Sequence, residues 1–127
     1  MVIFPILFLM GKLKLGENVV NYMKGKNDKL AEITNILKEH ENELRRKYGI
    51  EKIGVFGSYV RSEAGVESDL DILVEFSEDA DVGLLKFVEI ENYLSDLLGV
   101  KVDLVEESAL KPRIGKQILK EVVYCAK

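Results

Sequence analysis

Apolar residues first recur at helical spacing. Leu30, Ile33, Leu37, Leu44 and Tyr48 fall on one stripe, Asn27 or Asp28 can cap its start, and Gly49 stops it. His40 lies near that stripe and reads as a partly buried structural histidine. The period then changes. Ile50 to Phe56 is a short apolar run of β-formers closed by Gly57-Ser58, which predicts a buried strand. Leu70 to Phe76 predicts a second strand, with acidic residues alternating against Leu70, Ile72 and Val74. Asp81 is placed to cap a helix whose apolar face is Leu84, Phe87, Val88, Leu94, Leu97 and Leu98, ended by Gly99. Val100 to Val105 predicts a third strand and Ser108 to Pro112 a turn. Ile114 to Tyr124 predicts a last helix with Ile118, Leu119 and Val122 inward. The order α-β-β-α-β-α describes an α/β (α+β) fold, a small mixed β-sheet with flanking helices.

The N-terminus breaks the pattern. Val2 to Met10, VIFPILFLM, is almost wholly apolar but too short for a bilayer, which takes about 20 residues. It lacks the basic region of a secretory signal, and no small-residue cleavage site follows. It reads as an extra strand, a docking segment or a product of start-site choice, since Met10 and Met23 are also plausible starts. Residues 11–26 hold three glycines and several lysines and read as irregular. The expected organisation is an extension over 1–26 and a single domain over 27–127.

Composition narrows the classes. A chain of 127 residues, 47% hydrophobic and 31% charged, suits one globular domain. A net charge of -4 argues against a generic nucleic-acid binder, so no direct nucleic-acid contact is expected. The single cysteine, Cys125, reads as a small packing residue and fits a reducing cytoplasm. One cysteine and one histidine cannot build a zinc cluster. No membrane association is expected.

The chemistry lies in GSYVRSEAGVESDLD, Gly57 to Asp71. Strand side chains alternate faces, so Asp69 and Asp71 point one way and Leu70 and Ile72 the other. Their Cα atoms should stand roughly 6–7 Å apart. Two like charges held so close repel, and a divalent cation relieves them. Oxygen-only ligands suit Mg²⁺ or Mn²⁺. Asp103, between Val102 and Leu104, joins them if its strand lies beside the second. Three such carboxylates can hold two metals about 4 Å apart, an arrangement that clamps a phosphoryl group. Gly57 allows close backbone approach to a ligand, and the turn amides and the Ser58 hydroxyl can bind phosphate. Arg61 can add charge-assisted bonds to a triphosphate. Ser68 is expected to orient Asp69 through local backbone bonding.

Gly57-Ser58, ten residues, Asp69-x-Asp71 and a later strand Asp103 resemble the nucleotidyltransferase fold of the DNA polymerase beta superfamily. The string GSYVRSEAGVESDLDILVEF is similar to the minimal nucleotidyltransferases, the MntA-type antitoxins. So is the tail, VDLV, a Leu-Lys-Pro turn, and a final helix with Ile118 and Glu121. The resemblance spans Asp28 to Tyr124. It implies that Asp69, Asp71 and Asp103 bind Mg²⁺ and carry the catalysis. Asp103 would help deprotonate the acceptor hydroxyl, and Gly57, Ser58, Arg61 and Ser68 would line the nucleotide phosphates. It further implies that ATP donates AMP to a tyrosine of a HEPN-domain ribonuclease toxin of the HepT type, in a hetero-complex. Two other readings remain at this level: a small-molecule or RNA nucleotidyltransferase, and an antitoxin that acts by docking alone.

Overall fold

The computed structural model describes residues 26–65 and 68–126. The apolar Val2 to Met10 segment, residues 11–25 and the side chains of Asn27 and Asp28 lie outside the described residues.

The sheet has four strands: β1 (Ile50–Phe56), β2 (Leu70–Phe76), β3 (Val102–Glu106) and β4 (Val123–Ala126), in spatial order β3-β2-β1-β4. β1 is antiparallel to both β2 and β4, and β2 runs parallel to β3. The bounds of β1 and β2 are those the pattern predicts. The mixed sheet with flanking helices is also the predicted class. Four helices accompany it: α1 (Lys26–Glu39), α2 (Glu41–Tyr48), α3 (Leu84–Leu98) and α4 (Pro112–Glu121).

The single first helix of the sequence reading is two. His40 leaves helical geometry (φ -100°, ψ 10°), and its Nδ1 bonds the Ile36 carbonyl at 2.8 Å. The apolar stripe survives the break, and Ile33, Leu37, Leu44 and Tyr48 are all buried. Gly49 ends α2 with φ 73°, as expected of a left-handed cap.

Other expectations are corrected: β3 runs Val102–Glu106 instead of Val100 to Val105, and the expected order α-β-β-α-β-α gains a second early helix and a closing strand. The last helix stops at Glu121 instead of Tyr124, because Val123 and Tyr124 pair with Val55 and Gly54 at the free edge of β1. A β-branched and aromatic pair suits that edge better than another helical turn. Leu119 therefore points outward (45% exposed), while Ile118 and Val122 are half-buried. In α3 the buried positions are Ile90, Leu94 and Leu98. Val88 turns off that stripe and Leu84 sits in the first turn, ahead of the core, 78% exposed. Asp81 does not cap α3. The N-cap is Gly83, with no side-chain bond.

The edge strand β3 is closed by α3. Ser95 Oγ accepts the Val102 N–H at 3.0 Å, and Glu91 Oε2 accepts the Leu104 N–H at 2.9 Å. These outward amides would otherwise offer a pairing edge to another chain. The clamp brackets Asp103 on both sides.

Candidate active site

Leu70, Ile72 and Val74 are completely buried, which drives the intervening Asp71 to the opposite face of β2. The parallel register sets Asp71 against Asp103 of β3, with Leu70 against Val102 and Ile72 against Leu104. On its other side Asp71 pairs with Phe56, the last residue of β1. Asp69 precedes the strand, exposed, and near enough for its charge to act on Asp71. The register brings Asp103 beside Asp71, as expected if the third strand lies next to the second, while Asp69 stands just ahead of β2.

Their electrostatics are unfavourable without a counter-ion. Burial pushes the Asp71 carboxyl above the ordinary aspartate range, and the charges of Asp103 and then Asp69 push it further. Arg61 pulls the other way. The donor set is oxygen only, which fits Mg²⁺ or Mn²⁺ in charge and ligand type. The side chains do not converge: among the described residues no three His, Cys, Asp or Glu groups form a metal-ready cluster. Asp71 and Asp103 fit an oxygen-ligated dication in charge and ligand type.

Gly57 turns the chain out of β1 into a short 3-10 turn, Gly57–Tyr59, with φ 83°. A side chain there would strike the Asp71 carboxylate. The glycine lets the turn pass directly over the acidic face. Ser58 is half-buried, and its hydroxyl has no hydrogen-bond partner among the described residues. Ser68 does not reach Asp69. Its hydroxyl accepts the Gly65 N–H at 2.8 Å while its own N–H bonds the Gly65 carbonyl, so it ties the loop closed.

Arg61 is held in place by carboxylates. Its Nε donates to Glu63 at 3.0 Å and its Nη1 to both oxygens of Glu121 at 2.9 and 3.1 Å. Glu121 Oε2 also accepts the Gly57 N–H at 2.7 Å. Sequence reasoning named Glu121 only as part of the family-like tail. Its link to Gly57, across 64 positions, carries no sequence signal. Phe56, Gly57, Arg61, Asp71, Gln117, Ile118 and Glu121 line a cleft of ≈ 270 Å³ beside the carboxylates. His40 lies elsewhere, as does Cys125, whose thiol burial pushes up to about 11. No helix among the described residues is long and apolar enough to cross a membrane.

Known proteins resemble this chain in sequence and fold. Residues 37–125 match the nucleotidyltransferase domain family. The protein adenylyltransferase MntA of Thermococcus cleftensis is 57% identical over 95 residues, 75% of this chain and 94% of that protein. A solved structure described as a candidate minimal nucleotidyltransferase superposes with a TM-score of 0.58 at 41% identity, covering 68% of this chain and 86% of its own. A complex of an MNT antitoxin with a tri-AMPylated HEPN toxin from Shewanella oneidensis shares the fold, with a TM-score of 0.53 at 20% identity over 72% of this chain and 71% of that one. With its strands, turn and acidic face in this order, the chain belongs to the nucleotidyltransferase domain family, among the minimal MntA-type protein adenylyltransferases.

Proposed function

We infer that the protein is the antitoxin of a HEPN-type pair and transfers AMP from ATP to a tyrosine of its partner toxin, releasing pyrophosphate. The observation that carries this reading is the pairing of Asp71 with Asp103 across β2 and β3, beneath the Gly57 turn. The adenylyltransferase name of the 57% identical relative supports the reaction type. The toxin-bound fold neighbour supports the class of partner.

Asp69, Asp71 and Asp103 would hold Mg²⁺, one ion or two. When bound, it would offset their repulsion and the charge of the triphosphate. Asp103, exposed on β3, takes the proton of the acceptor hydroxyl. The hydroxyl oxygen then bonds to the α-phosphorus as the bond to the β-phosphate oxygen breaks, and pyrophosphate departs. The Ser58 hydroxyl and the Arg61 guanidinium hold the β- and γ-phosphates, and Gly57 lets the turn come close to them. Ser68, whose hydroxyl accepts the Gly65 N–H, would line the nucleotide phosphates beside Asp69. Positioning and charge neutralisation supply the rate.

The test is intact mass. The protein is mixed with a HEPN-type toxin, Mg²⁺ and ATP. A gain of whole AMP units on the partner, absent with Asp69→Asn/Asp71→Asn, supports the reading. A stable complex that binds ATP without a mass shift would move the assignment to an antitoxin that acts by docking.

A further inference from the structure

The Glu121 carboxylate bridges two parts of the site. It accepts the Gly57 N–H at 2.7 Å and pairs with Arg61 Nη1 at 2.9 Å. Gly57 starts the turn over Asp71, and Arg61 follows one turn later. Glu121 comes from the last residue of α4, on the other wall of the cleft. It is less exposed than its partner, 26% against 48%. We propose that Glu121 is a positioning residue for the nucleotide site: it fixes the Gly57 turn and the Arg61 guanidinium so that Arg61 meets the triphosphate already oriented.

The bonding pattern favours positioning over competition for the phosphate seat. Glu63 uses Nε and Glu121 uses Nη1, so Nη2 keeps both of its N–H groups without a partner among the described residues. The bonded Nε and Nη1 lie on different edges of the guanidinium, and Nη2 between them still offers its N–H groups to a phosphate. An arginine held beforehand also loses less rotamer freedom when it binds. The same contacts limit Gly57. Its N–H is already taken by Glu121, so the Gly57 amide is not a donor for phosphate. The inference rests on the phosphate-binding reading of the turn.

Glu121→Ala and Glu121→Gln separate the possibilities. Calorimetric titration with Mg·ATP gives the dissociation constant, and AMP transfer to the partner gives kcat and KM. Thermal unfolding is recorded for each variant. Glu121→Ala should weaken ATP binding about tenfold and raise KM to match, with kcat at saturation changed less than about threefold. Glu121→Gln keeps an oxygen acceptor for the Gly57 N–H and should recover part of the loss. Tighter ATP binding in both variants would overturn the proposal and make Glu121 a competitor for the phosphate. Unchanged ATP constants alongside a lower unfolding temperature would overturn it in favour of a purely structural tie. A wild-type protein that binds no ATP would instead remove the functional reading on which the proposal stands.

Discussion

Asp71 and Asp103 are registered neighbours on adjacent parallel strands, and both lie on the face opposite the core. Each flanking residue on β2 and β3 is buried, so neither carboxylate can turn away without exposing Leu70, Ile72, Val102 or Leu104. The fold holds two like charges together that water would keep apart. Arrangements of this kind are costly to stability and are characteristic of ligand sites.

Asp71→Asn should therefore separate stability from activity. The neutral amide removes the desolvation cost and the repulsion from Asp103 and Asp69. The midpoint of thermal unfolding should rise by about 2–5 °C in the absence of metal. AMP transfer should fall at least about 100-fold. Differential scanning calorimetry and the intact-mass assay measure the two. A variant that is both less stable and inactive would contradict the electrostatic account.

The pH dependence follows from the sign of the shift. An acid whose pKa is raised on folding carries a destabilising charge above its folded-state value. That cost disappears as pH falls through the folded value toward the ordinary aspartate value. Asp71 should therefore hold its proton to higher pH than an ordinary aspartate, and activity that needs the carboxylate should decline early on the acid side. Replacing Asp103 with asparagine removes one of the charges that raise it. Carboxyl NMR should then find Asp71 titrating at lower pH than in the wild type, and an upward move would refute the assigned cause.

Gly57→Ala tests the close passage of the turn. The φ of 83° strains any side chain, and the new methyl would meet the Asp71 carboxylate. Together these should destabilise the fold by about 1–3 kcal/mol. Urea unfolding measures the loss. Survivors at low temperature should bind Mg·ATP poorly, because relief of the clash moves Asp71 or the turn.

Ser95→Ala tests the clamp on β3. The Val102 N–H loses its acceptor on the outer edge. The cost should be about 1 kcal/mol, and hydrogen exchange at Val102 should quicken well before that at Ile72 in the central β2. Equal acceleration at both amides would mean that Ser95 supports the whole fold and not the strand that carries Asp103.

The parts of this fold whose physics is local are legible along the chain. Alternation along Leu70–Phe76 set Asp71 on the side opposite Leu70 and Ile72, and both of these are buried. The composition and end of Ile50–Phe56, the stop at Gly49 and the spacing from Gly57 to Asp71 needed only neighbours in the chain. Whatever depends on a distant partner is settled by packing across the molecule. Whether Val123 and Tyr124 form helix or strand turns on the open edge of β1. Whether Asp103 meets Asp71 turns on β3 lying parallel to β2, in a register that α3 clamps through Ser95 and Glu91. Whether Arg61 is a loose surface charge or a held one turns on Glu121, 60 residues away. Helix and strand periods are written by short-range sterics and burial. Pairings across the molecule depend on where the whole sheet brings the chain, and no spacing in the sequence encodes that.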